Sequence, residues 1–433
     1  MKSKLNSPTW AAGFALSGLL CLVAVCAASS FQDRDDQHRD HDDDRNGGIL
    51  HLVPDTGPVP ASYFGMHIHN SATSTPWPAV PIASWRLWDS HAAWPDIEPQ
   101  KGKWNFDKLD TYLRLAQEHH TLVLLPLGMS PKWASSRPDE KSAYQPGFAA
   151  EPTKMGDWDD YVRAVVGHCK GRVQGYEIWN EPNLSSFWTG HTEQMIAMTR
   201  EAHDIIKSID PNALVISPSA TASNHGDVWL NEFLEKGGGK YVDVIGYHFY
   251  TATPESMVPL ITQARQIMAK NHAGSLPLWN TETGWAKPKP FPSEELGAAY
   301  LARAYLLDWA AGVQRFFWYA WDNHSFVSIE TTRADNQTPT PAGRAFETIQ
   351  SWLLGAQIRS CDMAADHTWI CALHRGDADE WVDWNPDHGT EMKVPPSWRA
   401  TTITSLNGTP ARLNSTTLQI NEIPQLITGG QAR

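Results

Sequence analysis

The sequence has no surplus of positive charge: 35 Lys and Arg stand against 48 Asp and Glu, a formal net charge of −13. That excludes the basic footprint of a nucleic-acid-binding domain. Cysteine is scarce, with five in 433 residues, and no Cys or His spacing suggests a zinc site. After residue 28 no long apolar run remains, so there is no later candidate for a membrane span. No Gly-rich phosphate loop follows the first apolar run, which argues against a doubly wound nucleotide-binding sheet. Neither a collagen-like nor a wholly disordered bias is present, and the 41% hydrophobic share is that of a globular chain. One residue type is in excess. The 21 Trp predict either a large aromatic core or platforms for the apolar faces of sugar rings, and composition does not choose between them.

The N-terminus begins Met1-Lys2-Ser3-Lys4 and continues into an apolar run from Ala11 to Ala28, with small residues at Ala27, Ala28 and Ser29. A basic start, apolar middle and small-residue end predict an export signal over 1–29, and so a secreted or periplasmic protein. The length of 11–28 leaves an uncleaved membrane anchor, facing outward, as the alternative. Residues 30–48 form an acidic spacer; from 32 onward it holds seven Asp and three Arg and nothing that could build a core.

From 49 to 355, short apolar runs alternate with helical patterns. Strands are predicted at 63–69, 83–88, 122–127, 175–179, 214–218, 242–248, 277–280 and 315–321. Helices are predicted at 106–119, 157–169, 192–209, 256–270, 294–311 and 341–354. Eight such units predict an α/β fold, a (β/α)8 barrel. Residues 356–433 change texture to short alternating runs rich in Thr, Pro and Asn. They predict a small C-terminal antiparallel β domain, with Ile49–Val53 as a candidate extra strand. Cys361 and Cys371 flank a turn-like stretch there, which leaves open a disulfide across a hairpin. Cys169 sits in a helical pattern and reads as a buried thiol.

Two long connections, 128–156 and 322–340, follow strand C-termini, the face on which barrels carry their active sites. At the same face two strands end on a Glu: Tyr176-Glu177-Ile178-Trp179-Asn180-Glu181-Pro182-Asn183 and Leu278-Trp279-Asn280-Thr281-Glu282-Thr283. One such Glu alone reads as a solvated rim charge. Two on one barrel mouth fit glycosidic cleavage, which needs one carboxyl to protonate the leaving oxygen and another to attack the sugar or activate water.

Trp179-Asn180-Glu181-Pro182 resembles the acid/base signature of the clan A glycoside hydrolases. The stretch from Phe64 to Leu354, including Trp85-Arg86-Leu87-Trp88, Pro131-Lys132-Trp133-Ala134 and Phe187-Trp188-Thr189-Gly190, resembles family 39 of that clan. The resemblance implies a (β/α)8 retaining hydrolase with Glu181 as acid/base and Glu282 as nucleophile. It implies that Asn180 holds the 2-hydroxyl of the reacting sugar and that Arg86 bonds the nucleophile and lowers its pKa. His248 and Tyr250 are implied near both Glu, and Trp321 as the floor under the sugar. Retention implies carboxyl groups about 5–5.5 Å apart.

His69 and Trp88 read either as a subsite wall or as core. Trp133 and Trp188 read as sugar-stacking loop residues. Trp381, Trp384 and Trp398 read chiefly as β-domain core. No metal or organic cofactor is expected, and the partner is a poly- or oligosaccharide. The substrate expectation leans to endo or side-chain cleavage of a bacterial or plant polysaccharide. An exo-acting β-xylosidase-like enzyme is the alternative, and a non-catalytic carbohydrate-binding barrel or a scaffold protein are the rivals of other classes.

Overall fold

Apolar runs separated by amphipathic helices leave the chain one economical way to bury both, a sheet curled inside a ring of helices. A computed structural model describes residues 48–54, 56–287 and 289–429. The predicted signal, all but the last residue of the spacer, Cys21 and Cys26 lie outside the described residues.

The chain opens with β1 (Gly48–Leu52), β2 (Phe64–His67), β3 (Ser84–Arg86), α1 (Trp94–Ile97), α2 (Asp107–Glu118), β4 (Leu122–Leu127), α3 (Met155–Cys169), β5 (Gly175–Ile178) and α4 (Thr192–Ile209). It continues through β6 (Leu214–Ile216), β7 (Ala220–Thr221), α5 (Gly226–Glu235), β8 (Ile245–His248), α6 (Met257–Lys270), β9 (Leu278–Thr283), α7 (Glu294–Ala310), β10 (Val313–Trp318) and α8 (Pro341–Leu353). Strands β2 to β10 form one parallel sheet in the order β6-β5-β4-β3-β2-β10-β9-β8-β7. It closes where Ile216 bridges Val244; Asp243 N–H donates to Val215 O at 2.8 Å and Ser217 N–H to Val244 O at 2.9 Å. All eight expected barrel strands are present. Within the barrel the sequence reading missed α5, whose ten residues are too few for a clear period, the one-turn α1 and the two-residue β7.

Both faces of the barrel strands are covered, so they read as continuous apolar runs. Inside the barrel, Leu124, Ile216, Val244, Trp279 and Phe317 form a cluster of their own, with the Arg315 guanidinium 4.1 Å over the Trp279 ring. Outside, Leu109, Tyr112, Leu113 and Ala116 make the buried stripe of α2. Helix α7 is buried from Gly297 to Ala310 because it packs on α8, on β10 and on the first strand of the C-terminal sheet.

That sheet comprises β11 (Gln357–Ala364), β12 (Trp369–Arg375), β13 (Ala378–Trp384), β15 (Ala400–Ser405), β16 (Pro410–Arg412) and β18 (Gln425–Gly429), and β14 (Thr390–Lys393) pairs with β17 (Thr417–Ile420) beside it. β1 adds antiparallel to β11, with Leu52 opposite Cys361, as expected for Ile49–Val53. Cys361 and Cys371 face each other across β11 and β12 and are disulfide-bonded, and Cys169 is a buried free thiol. Trp369 and Trp384 stack inside the sheet at 5.5 Å; Trp381 and Trp398 stack on each other at 4.5 Å. Among the described residues no helix is long and apolar enough to cross a membrane.

One buried group links this fold to pH. Asp308 on α7 is fully buried, and its carboxylate accepts one bond, from Asn280 Nδ2 at 2.7 Å. Burial pushes its pKa up to about 7. The folded state therefore holds a proton that the unfolded state releases, and stability falls as pH rises from about 4 to about 7. Asp308→Asn, of the same shape, is expected to match the wild type near pH 4. At pH 8 it should be more stable by a few kcal/mol, because each pH unit between the unfolded and folded pKa values is worth about 1.4 kcal/mol. Thermal melts at the two pH values check it.

Candidate active site

The end of β5 carries the first Glu by a break in strand geometry. Glu177 points into the barrel, and then Trp179 and Glu181 adopt positive φ values of 68° and 45°. Such angles are costly for residues with a Cβ and persist only where surrounding contacts hold them. Here Trp179 N–H donates to Leu127 O at 2.7 Å and Glu181 N–H to Ser219 O at 2.9 Å. Gly128 makes room for the turn, since a Cβ there would lie 3.1 Å from the Trp179 ring. Asn183 ties the far side to Thr221 and Ser223, with its Nδ2 donating to their carbonyls at 3.1 and 2.8 Å. On β9 the pairing with β8 slips between Tyr247 opposite Asn280 and His248 opposite Glu282. A bulge of this kind re-aims the next side chain, here that of Glu282 into the mouth.

Arg86, at the end of β3, joins the pieces. It is fully buried, and its Nε donates to Glu177 at 2.5 Å, one terminal nitrogen to Glu282 Oε2 at 2.8 Å and the other to Asn180 Oδ1 at 2.7 Å. Burial works against its charge, but Glu177 and Glu282 more than offset it, so the guanidinium is held above its ordinary pKa. The other Glu177 oxygen accepts from the Ser219 hydroxyl, and Ser219 Oγ accepts from Thr281 at 3.0 Å.

Glu282 Oε1 accepts from the Tyr250 hydroxyl at 2.9 Å. Glu181 Oε1 lies 3.0 Å from His248 Nδ1. One oxygen of each Glu and a His248 ring nitrogen fall within 4.8 Å of one another. This is also the one grouping of His and carboxylate side chains among the described residues with the spacing of a cation site. Glu282 there already meets Arg86, and that charge opposes a second cation beside it.

Burial raises the Glu181 pKa to about 7, with the Asp89 charge adding to it and Arg86 working against it. Burial lowers His248 to about 4, so its ring is neutral at neutral pH. His248 Nε2 is buried without a partner, which favours the tautomer with the proton on Nδ1, since an orphan acceptor costs less than an orphan N–H. That proton is then donated to Glu181 Oε1, leaving Oε2 to carry the carboxyl proton. For Glu282, Arg86 acts in the expected direction and pulls the pKa down, but burial outweighs it and sets the net result, which is up.

The other expected site residues divide. His69 is buried, its ring 4.9 Å from that of Tyr319, and its Nε2 has no partner; Trp88 lies with Tyr319, Tyr144 and Phe187 at the same mouth. Trp321 is a correction: it is 0% exposed and embedded in the core, with no free face for a sugar. The residue two before it, Tyr319, takes the lip, donating its hydroxyl to Asp89 at 2.6 Å. Trp188 is a second correction, buried edge-on against Trp179 at 4.9 Å. Trp133 is a third: half-buried, it donates to Glu98 O at 2.9 Å, packs edge-on against Trp94 and has the Lys101 ammonium 5.9 Å over its ring. Sequence reasoning missed Glu177, Asp89, Tyr144, Tyr319 and Asp322. Asp322 accepts from the His69 and Asn70 N–H groups at 2.8 Å and so locks the loop after β2. A charged residue inside the apolar run of β5 was the one available signal, for Glu177.

Comparison with known proteins agrees with this geometry. The profile of the glycosyl hydrolases family 39 matches residues 83–319, more than half of the chain. The chain belongs to family 39. This is a retaining clan A family. A β-xylosidase from Geobacillus stearothermophilus is 28% identical over 236 residues, 46% of this chain and 45% of that enzyme, so the chain spans less than half of that relative's length. A family 39 glycoside hydrolase from the gut symbiont Bacteroides cellulosilyticus shares the fold at a TM-score of 0.69 and 18% identity, over 86% of this chain and 81% of that one. A family 39 β-xylosidase from Caulobacter crescentus aligns at a TM-score of 0.60 and 18% identity, over 87% and 98% of the two chains.

Proposed function

We propose that this family 39 protein cleaves O-glycosidic bonds of an oligo- or polysaccharide by double displacement, with Glu282 as nucleophile and Glu181 as acid/base. The observation that carries this reading is the carboxyl pair, with oxygens no more than 4.8 Å apart and different partners on each side. That gap suits direct attack on the sugar; an inverting pair needs about 6.5–9.5 Å to admit a water between them.

In the first step a Glu282 oxygen bonds to the anomeric carbon as the bond to the leaving oxygen breaks, and Glu181 gives that oxygen its proton. Arg86 and Tyr250 hold Glu282 in place, and Asn180, anchored by Arg86, presents its amide towards the sugar. Forming the ester removes the Glu282 charge, and the mutual coupling of the two carboxyls then lets Glu181 lose affinity for protons. In the second step Glu181 takes a proton from water, whose oxygen bonds to the anomeric carbon and releases Glu282.

The test is a panel of 4-nitrophenyl β-glycosides and polysaccharides, with the first product anomer read by proton NMR. Turnover with retained configuration is expected. Inverted product, or no turnover on any glycan, would overturn the proposal and favour a binding barrel. A second reading, an exo-acting β-xylosidase, is favoured by the relatives' names and predicts xylose as the sole product from xylo-oligosaccharides. Export, and any membrane anchoring through residues 11–28, is proposed from the sequence of that segment alone.

A further inference from the structure

We propose that a cavity of about 350 Å³ beside the carboxyl pair is a second sugar subsite, which takes a neutral glycosyl unit of the same chain and turns away a uronate. The inference rests on Glu181 and Glu282 being the point of cleavage. The cavity lies between the loop after β3 and the 128–156 loop, and its walls include Trp88, Asp89, Asp96, Tyr144, Gln145 and Phe148. Its volume falls within the roughly 300–1,000 Å³ of small-molecule sites. Two half-buried rings, Tyr144 and Phe148, with the more deeply buried Trp88 behind them and carboxylate acceptors beside them, are the combination a sugar needs, apolar C–H faces against rings and hydroxyls onto oxygens.

Two adjacent lining residues, Trp88 and Asp89, connect the cavity wall to the catalytic group. Trp88, which lines it, has the Arg86 guanidinium 5.7 Å from its ring, and Arg86 bonds Glu282. Asp89, which also lines it, has a positive φ of 56° and accepts the hydroxyls of Tyr144 at 2.5 Å and Tyr319 at 2.6 Å. A left-handed Asp held by two tyrosines is a built feature rather than a solvated rim charge. Its negative charge reaches both catalytic carboxyls and raises their pKa values.

The selectivity follows from the lining. It holds two carboxylates and no Lys or Arg, and its one basic-capable group, His91, lies 3.9 Å from Asp96. A sugar carboxylate placed there meets like charge with no cation to receive it. Hydroxyl groups meet acceptors.

The test uses xylo- and cello-oligosaccharides of two to six units, with and without a glucuronate branch. Two readouts are taken: kcat/KM of the wild type, and calorimetric binding to the Glu282→Gln protein. Affinity and kcat/KM should rise with length and then level off, with the neutral series preferred. Gln145→Trp, at an exposed rim position where a bulky side chain can be tolerated, is expected to fill the cavity and reduce the gain with length at least about tenfold. Asp89→Asn keeps a residue that tolerates the left-handed region. It is expected to weaken discrimination against the glucuronate series by roughly tenfold, the scale of one like-charge contact at partial screening. It should also move both limbs of the pH profile to lower pH, which a purely structural role would not do. Length-independent binding and turnover, or a length gain that Gln145→Trp leaves intact, would overturn the subsite. Absence of turnover on every glycoside, aryl glycosides included, would instead count against the carboxyl assignment.

Discussion

Glu282→Gln will give a folded protein that turns over glycosides at least about 10⁴-fold more slowly than the wild type. Removing the nucleophile of a covalent mechanism commonly costs on the order of 10⁴–10⁶-fold. The replacement is nearly isosteric. Its amide oxygen still accepts from Arg86 at the 2.8 Å position, and Tyr250 can turn its hydroxyl to accept from the amide nitrogen. Thermal melts should therefore stay within a few degrees of the wild type, which separates lost chemistry from lost folding. Activity within tenfold of the wild type would remove Glu282 from the reaction. The same variant should form no glycosyl ester detectable by mass spectrometry with a slow substrate, whereas the wild type should accumulate one.

Glu181→Ala should show a loss that depends on the leaving group. With an unactivated glycoside the departing oxygen needs a proton, and losing the general acid should cost about 10²–10⁴-fold. With a dinitrophenyl leaving group the first step should survive, and azide should restore turnover by taking the place of the activated water. The pH dependence gives an independent sign. Glu181 acts first as a proton donor, so wild-type kcat/KM should fall as pH rises through its value of about 7. Glu282 must be ionised, and since its pKa is raised too, the acid limb should lie above the ordinary Glu range. The two carboxyls titrate as a coupled pair, so the bell should be narrow. Removing Glu181 should abolish the alkaline limb, because the group whose deprotonation sets that limb is gone. An alkaline limb unchanged in Glu181→Ala would assign it to another group.

The strand pattern, the Asn-Glu-Pro turn and the second Glu at a strand end were legible because each is a local property of the chain. Periodicity over five or six residues marks a buried strand whatever lies opposite, and a strand C-terminus in a barrel faces the mouth by topology. The same logic misplaced three tryptophans. Trp133, Trp188 and Trp321 all lie near a mouth in sequence. Whether a ring faces solvent or core depends on how the backbone turns and on which residues the fold brings against it, Trp94, Trp179 and the surrounding core in these cases. Of the large Trp excess that first suggested platforms, most serves as core, and the site draws on Trp88 together with tyrosines.

What the sequence determined by itself was the order of strands, the barrel that order implies, and the pair of Glu 101 positions apart that it brings to one face. Only the tertiary structure decided how those carboxyls are set. The sharing of Arg86 among Glu177, Asn180 and Glu282, the burial that raises both pKa values, and the placing of Asp89 beside them all come from contacts between strands and loops far apart in the chain. Distance and desolvation are properties of the packed mouth, and no short stretch of sequence carries them.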